Sequence, residues 1–170
     1  MQNYSPNKLN SYYDNLPEGR QAHITPVITP DDVFVREWLD QEYERKGFKE
    51  DDPFHTTDRG LRVRSKSEVM IAETLDLKGI PYRYEYPVRV NRNVYHPDFM
   101  ILRIEDRKEF YWEHLGRMDD PDYVNSNLIK IRNYEKIGIV AGDNLILTME
   151  TSMIPLNKEE IRRTLQTFIE

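Results

Sequence analysis

Hydrophobic and polar positions follow first a helical period and then a period of two, from Ser65 onward. The segment SKSEVMIAETLDLKG has apolar residues at helical spacing, a cap candidate at Ser65 or Ser67, and Gly79 as a stop, so it predicts a helix. In IPYRYEYPV, residues 80–88, tyrosines alternate with charged residues, which predicts a strand. The stretch YHPDFMILRIEDRKEFYWEHLG, residues 95–116, predicts two apolar strands about a short polar turn.

The remainder of the chain continues this alternation of elements. PDYVNSNLIKIRNYEKIG predicts a helix with Val124, Leu128 and Ile131 facing inward, NLILTME predicts a short buried strand, and LNKEEIRRTLQTFIE predicts a final helix capped by Asn157. The order from Ser65 is therefore α-β-β-β-α-β-α. Three meandering strands followed by a crossover to a fourth predict an α/β (α+β) fold, a mixed four-stranded sheet flanked by helices.

The N-terminal part has a different character. Residues 1–29 are rich in Asn, Tyr, Ser and Pro without periodicity, and predict a poorly ordered or draped arm. A helix is expected to begin at Pro30-Asp31-Asp32 and to end near Gly47, followed by a polar linker over 48–60. We therefore expect an arm and helix over 1–60 and a separate domain over 61–170.

Composition narrows the class of protein. The net charge of -6 argues against a general nucleic-acid coat, although not against an enzyme with a local basic groove. Without cysteine the chain forms no disulfide and no thiolate metal site. No apolar run approaches the roughly 18 residues of a membrane span, and the N-terminus lacks a signal-peptide core. We expect a soluble cytoplasmic protein without membrane association; its abrupt start leaves open a longer parent polypeptide.

Two acids interrupt the apolar strands of the predicted hairpin, Asp98 near the start of the first and Glu113 near the end of the second. A two-residue turn at 106–107 puts them diagonally on one face, with Cβ atoms roughly 7 Å apart. An odd-length turn would instead pair Asp98 with His114. Two carboxylates at this distance can share a hard divalent cation. The alternative is that both acids are solvated at the sheet edge and have no function.

A third acid, Glu68, lies in the first turn of the helix before the sheet, where its carboxylate can point to the strand ends. The ordered set of Glu68, Pro97-Asp98 and Glu113-His114-Leu115 resembles the PD-(D/E)XK phosphodiesterases, the restriction-endonuclease-like superfamily. The resemblance implies that family's αβββαβ core from Ser65 to about Glu150. It also implies hydrolysis of phosphodiester bonds in DNA, or sometimes RNA, with Mg²⁺ or Mn²⁺.

Carried over residue by residue, the resemblance assigns Glu68, Asp98 and Glu113 to metal binding and catalysis. It also implies that the backbone carbonyl of Leu115 completes the metal shell. Leu115 stands where the family has its catalytic lysine, and this is the main departure from the motif. It leaves open whether catalysis is retained.

A lysine on a neighbouring element can take the missing role. The best candidate is Lys130, which forms a stripe with Tyr123, Asn127 and Tyr134 at helical spacing. Such a stripe resembles the helix that some exonuclease-like members place over their active site. The alternative is an ordinary solvated helix face, and Lys66 is a second candidate for the displaced lysine.

Residues around the acids are candidates for contact with nucleic acid. The basic run DRGLRVRSKSE is by itself typical of a solvated loop, but next to Glu68 it suggests phosphate contacts. His96 either contacts phosphate or is an exposed loop residue, and His114 is expected to be packed or hydrogen-bonded beneath the site. The predicted nucleic-acid contacts are Arg62, Arg64, Lys66, His96, Arg117, Asn127 and Tyr134.

The leading hypothesis is a metal-dependent nuclease, with DNA as the favoured substrate. The second is a nuclease-like domain that has lost catalysis and binds nucleic acid or a protein partner. A third is a structural domain of a larger mobile-element or phage protein, which predicts no binding of divalent metal. A homodimer is left open.

Overall fold

The computed structural model describes residues 15–21 and 29–170, so most of the predicted N-terminal arm lies outside the described residues. The chain forms two compact units. The described part of the first comprises 15–21, 29–42 and 104–108, and the second comprises Tyr43–Arg103 and Glu109–Glu170. The predicted boundary at residue 60 falls inside the second unit.

The first unit contains a short helix, α1 (Glu18–Gln21), and a longer one, α2 (Asp31–Asp40). Two acids in the first turn of α2 suit the helix dipole, and Trp38 is its buried residue. The guanidinium of Arg107 pairs with Asp31 at 2.9 Å. The prediction that this helix extends to Gly47 is wrong, because the mostly polar residues after Asp40 offer a helix little apolar surface to bury.

The second unit contains the elements that carry the predicted site, except for Lys108, which belongs to the first unit. In chain order they are β1 (His55–Thr56), β2 (Arg62–Val63), α3 (Lys66–Lys78), β3 (Tyr82–Tyr84), β4 (Val88–Val90), β5 (Asn93–Tyr95), β6 (Phe99–Arg103), β7 (Lys108–Leu115), α4 (Pro121–Glu135), β8 (Leu145–Met149) and α5 (Lys158–Phe168).

A four-stranded mixed sheet with the order β3-β6-β7-β8 organises this unit. β3 pairs antiparallel with β6, with Tyr82 opposite Ile101, and β7 pairs parallel with β8, with Glu113 opposite Leu147. A parallel pair needs a crossover connection, which α4 supplies. The prediction of a mixed α and β fold with a four-stranded sheet is confirmed. Two small antiparallel pairs, β1-β2 and β4-β5, were not predicted.

Apolar side chains pack on the sheet in two clusters. One joins α3 and α5 to the central strands through residues such as Ile71, Trp112 and Leu165. The other joins α4 to the β4-β5 hairpin and the sheet through Tyr134 and Leu145. Because each cluster buries a helix stripe against strands, helices lie on both faces of the sheet, as predicted.

The predicted strand over 80–88 is shorter in the structure. β3 ends at Tyr84, and Glu85 has a left-handed φ of 52° that breaks the extended chain. The guanidinium of Arg64 contacts the Glu85 carboxylate at 2.6 Å. This ion pair holds Glu85 in a bend, and the chain continues into the separate β4-β5 hairpin.

Helix α3 begins and ends as its sequence predicts. The Ser65 side chain accepts a hydrogen bond from the Glu68 amide at 3.1 Å, and Gly79 closes the helix at a φ of 66°. This cap orients the first turn of the helix, which carries Glu68.

Replacing Ser65 by alanine should destabilise the protein by about 1 kcal/mol, because loss of the cap leaves one helix amide without its hydrogen-bond partner. Thermal unfolding should then occur about 2–4 °C lower. Ser126→Ala is the matched control, since Ser126 is an exposed serine within α4. Equal melting temperatures for Ser65→Ala and the parent would contradict the capping role.

Candidate functional site

The hairpin that carries two of the acids has a four-residue turn, 104–107, between β6 and β7. The predicted two-residue turn at 106–107 is therefore wrong. A connection this short joins antiparallel strands, since parallel ones need a crossover. Asp98 directly precedes β6, and its Oδ2 accepts a hydrogen bond from the backbone amide of His114 at 2.7 Å. This bond ties Asp98 across the hairpin to the residue next to Glu113.

The Asp98 carboxyl has a pKa raised well above its usual range. Burial is the largest cause, because it removes the water that stabilises the charged form. The negative charges of Glu113 and Glu68 raise the pKa further. The three predicted acids are thus close enough to repel one another.

Glu113 is buried on β7 and has two partners on the same oxygen. Its Oε1 lies 2.6 Å from Lys130 Nζ and accepts a hydrogen bond from the Tyr134 hydroxyl at 2.7 Å. Burial raises the pKa of Glu113 above its usual value, while the Lys130 charge and these hydrogen bonds act in the opposite direction. Burial also lowers the pKa of Lys130, but the charges of Glu113 and Asp98 outweigh it, so that pKa is raised. Lys130 is therefore a charged ammonium at the site.

Glu68 completes the acidic cluster from the first turn of α3, where it is buried. Its Oε1 accepts a hydrogen bond from Ser65 Oγ at 2.9 Å, and its Oε2 accepts one from the Tyr84 hydroxyl at 2.7 Å. The Arg64 amide also donates to Oε2, at 3.0 Å. Glu68 therefore acts as the acid of a capping box as well as facing the other two acids.

Helix α4 packs on the sheet through a face that matches the predicted one only in part: Ile131 packs against the core as predicted. Leu128 was expected to face inward but is 49% exposed, whereas Lys130 reaches Glu113 and Tyr134 is fully buried. The buried Glu113 carboxylate accounts for this orientation, because it requires a cation and a hydroxyl donor. The prediction that Tyr134 contacts nucleic acid is therefore wrong, since a side chain without exposed surface cannot do so.

The predicted basic contacts differ in how accessible they are. Arg64 is engaged by Glu85, by Asp52 at 3.5 Å and by the Gly47 carbonyl. Arg62 is exposed and stacks its guanidinium 3.8 Å from the centre of the Phe54 ring. Arg64 therefore holds the fold together, whereas Arg62 remains accessible.

The other predicted contacts differ in exposure and in the partners they have within the chain. Lys66 is exposed at the start of α3. Arg117 is exposed and pairs with Asp120 at 2.7 Å, and Asn127 donates to the Tyr123 carbonyl of its own helix at 2.9 Å. Near the acids, the half-buried His96 accepts a hydrogen bond on its carbonyl from Lys130 Nζ at 3.4 Å.

The backbone carbonyls of His114 and Leu115, which follow Glu113, point to opposite edges of β7. The Leu115 carbonyl accepts a hydrogen bond from the Glu150 amide at 2.9 Å, so it is directed towards β8. The His114 amide is directed to Asp98, and the carbonyl of a strand residue points to the same side as its amide. The His114 carbonyl is therefore better placed than the predicted Leu115 carbonyl to join the acids.

A chain of buried polar side chains lies on the other face of β7, and the sequence did not predict which residues form it. Trp112 Nε1 donates to Thr148 Oγ1 at 2.9 Å, which lies 3.0 Å from His114 Nδ1. His114 Nε2 lies 3.1 Å from Glu150 Oε1, and both Glu150 oxygens accept from Ser67 at 2.9 Å. This chain links β7 and β8 to the start of α3, so the expectation of a hydrogen-bonded His114 is confirmed. Its partners are far apart in sequence and carry no motif that reveals them.

The acidic cluster offers oxygen donors of the type that a hard cation prefers. All three side chains offer carboxylate oxygens, which suit Mg²⁺ or Mn²⁺, and a bound cation would offset the burial and the repulsion that raise the pKa of Asp98 and Glu113. Over residues 15–21 and 29–170, however, no three acidic or histidine side chains are arranged as a metal-binding group. Each carboxylate is instead turned to its own partner within the chain.

Comparison with known proteins does not define the class of this protein: no protein-family model matches the sequence, and no curated protein is significantly similar to it. Among the described residues, no helix is both long and apolar enough to cross a membrane.

Proposed function

We propose that this chain is a metal-dependent nuclease that hydrolyses phosphodiester bonds, with DNA as the favoured substrate. The observation that carries the proposal is the meeting of Glu68, Asp98 and Glu113 with the ammonium of Lys130. These side chains come from a helix, a hairpin and a crossover helix, in the order of the restriction-endonuclease-like core. We propose that core as the fold of residues 61–170.

Glu68, Asp98 and Glu113 would hold Mg²⁺ or Mn²⁺, and the metal would supply activation of a water molecule and stabilisation of charge on the phosphate. Asp98 and Glu113 supply opposing carboxylates from the hairpin, and Glu68 supplies a third from α3. Lys130 carries a positive charge 2.6 Å from Glu113, where it can orient the attacking water and neutralise a phosphate oxygen. Lys130 thereby takes the role left vacant by Leu115.

The second candidate is a nuclease-like domain without catalysis that binds nucleic acid or a protein. Its support is that Glu113 and Glu68 are already satisfied within the chain, by Lys130 and Tyr134 and by Ser65 and Tyr84. A cation would have to compete with these partners. The two candidates therefore differ in whether the protein binds a divalent metal and cuts.

The direct test is cleavage of labelled single-stranded, duplex and branched DNA, and of RNA, with Mg²⁺ or Mn²⁺. The nuclease should cut at least one substrate, and EDTA should abolish cutting. Binding of nucleic acid without cutting of any substrate, with either metal, would instead support the second candidate.

Metal should also stabilise the folded protein, because the acids come together only in the native state. At a metal concentration of about a hundred times the Kd, the free energy of unfolding should rise by about 2.7 kcal/mol. The melting temperature should then increase by about 5–10 °C. Differential scanning calorimetry with and without Mn²⁺ measures this effect, with EDTA as the reversal control. A melting temperature unchanged by both Mg²⁺ and Mn²⁺ would rule out the metal centre.

A further inference from the structure

An open groove of about 520 Å³ lies within the second unit, beside the acidic cluster. It is lined by Lys46, Phe48, Lys49, Asp52, Pro53 and Arg64. Most of this lining comes from residues 46–53, which the sequence marked only as a helix end and a polar linker. None of the acids or of the α4 residues assigned above lines it.

A ladder of alternating aromatic rings and guanidinium groups adjoins the groove: Phe48 and Arg64 line the groove, and Arg62 and Phe54 continue the ladder beyond that lining. The guanidinium of Arg62 lies 3.8 Å from the centre of the Phe54 ring and 5.0 Å from that of Phe48. Arg64 lies 4.4 Å from the same Phe48 ring. Phe54 nevertheless remains 47% exposed. A half-exposed phenyl ring is a surface on which a flat aromatic group can stack.

Two positively charged side chains stand beside this ladder. Lys46 and Lys49 are both exposed, and in the described parts of the chain neither amine has a carboxylate within ion-pair distance. Asp52, the carboxylate of the groove, is engaged by Arg64 at 3.5 Å and by the backbone amide of Lys49 at 3.0 Å. The two lysines are therefore available to an anionic ligand.

The groove connects directly to the acidic cluster through Arg64. The guanidinium of Arg64 lines the groove, while its backbone amide donates to Glu68 at 3.0 Å. A ligand in the groove would thus extend towards the three acids.

We propose that this groove binds a single-stranded segment of nucleic acid and directs it to the acidic cluster, with a base stacked on Phe54 and phosphates on Lys46 and Lys49. Stacking on a protein ring requires an unpaired base, because bases in a duplex are stacked on one another. The ligand is therefore a single strand or a single-stranded end. The claim that single strands are the substrate rests on the proposed nuclease function. The claim that the groove binds single strands does not depend on it.

The test measures binding of fluorescently labelled oligo(dT), oligo(U) and duplex DNA in EDTA, by anisotropy. Single strands should bind more tightly than duplex, and the dT and U arms separate DNA from RNA. Phe54→Ala should weaken single-strand binding about 5- to 150-fold, whereas Phe54→Trp should retain it. Leu77→Ala is the matched control, since Leu77 is an apolar residue that is 83% exposed on α3.

Salt dependence tests the lysines. The double variant Lys46→Gln/Lys49→Gln should reduce the slope of log K against log salt by about 1.4, the value for two phosphate contacts on a single strand. Lys158→Gln/Arg163→Gln on α5 should leave the slope unchanged. These control residues are exposed and lie outside the groove.

The outcomes distinguish failure of the groove proposal from failure of the nuclease proposal. Duplex bound as tightly as single strands, or groove variants that bind like the parent, would overturn the groove proposal even if the protein cuts. Loss of binding in the groove variants of a protein that cuts nothing would support the groove and overturn the nuclease. No binding to any nucleic acid would overturn the groove proposal.

Discussion

Replacing Asp98 by asparagine should abolish cleavage while making the metal-free protein more stable. Asparagine keeps the shape and can still accept the hydrogen bond from the His114 amide, but it removes one carboxylate from the acidic cluster. Loss of a metal ligand removes several kcal/mol of transition-state stabilisation, which corresponds to a rate at least about a thousandfold lower. Cleavage assays on purified protein measure this loss.

The gain in stability has an electrostatic cause. The pKa of Asp98 is raised in the folded protein, so the charged form is disfavoured there relative to the unfolded chain. A neutral asparagine escapes this penalty, and in EDTA near pH 7 the gain should be on the order of 1 kcal/mol. With metal present the order should reverse, because only the parent gains from binding.

The same shift fixes the sign of the pH dependence. A carboxyl with a raised folded pKa contributes stability below its unfolded pKa, near 4, that is lost as the pH rises through the folded pKa. In EDTA the free energy of unfolding of the parent should therefore fall as the pH rises through the folded pKa of Asp98. The free energy of unfolding of Asp98→Asn should fall less over the same pH range. Asp98→Asn should still lose some stability over this pH range, since the pKa of Glu113 is also raised.

An exposed acid provides the control for both effects. Asp58 lies on the surface, so Asp58→Asn should change neither the melting temperature nor cleavage. Full cleavage by Asp98→Asn would exclude Asp98 from the active site. A metal-free variant less stable than the parent would contradict the repulsion inferred among the acids.

Replacing Lys130 by methionine should have the second large effect, reducing both activity and stability. Cleavage should fall by about 10²- to 10⁴-fold, the usual contribution of a proton-transfer or electrostatic group. Removal of the ammonium also leaves Glu113 buried next to two other acids. Uptake of a proton by that carboxyl limits the cost, so unfolding should require on the order of 2 kcal/mol less.

A second substitution separates catalysis from stability at this position. The double variant Lys130→Met/Glu113→Gln removes both charges, and it should recover much of the stability but none of the activity. Lys136→Met, at the exposed end of α4, is the control for loss of a lysine. If Lys130→Met cuts like the parent and Lys66→Met does not, the displaced lysine is Lys66.

The caps of α3 and α5 could be predicted because they depend on neighbouring residues. Ser65 caps α3 and Asn157 caps α5, each through a bond to an amide three residues on. The strand at 80–88 and the hairpin turn could not, because long-range contacts override local preference there. Glu85 bends because Arg64, twenty-one residues away, binds its carboxylate.

Some residues of the candidate site could likewise be identified from the sequence, and others could not. The three acids were identified from their order along the chain, and Lys130 from its position on the following helix. The Tyr84 hydroxyl that binds Glu68 and the His114 amide that binds Asp98 were not identified, because these contacts join residues that share no local pattern. Tyr134 was assigned to the solvent side because its helix has polar residues all along that stripe.

The sequence by itself determined the order of elements, the mixed α and β class and the identity of the acidic residues, since periodicity and caps are local properties. Only the tertiary structure decided which face of α4 is buried, that Lys130 pairs with Glu113, and that a groove with exposed lysines adjoins Glu68. The reason is that a buried charge must find its partner in space, and the chain can supply that partner from any distance in sequence.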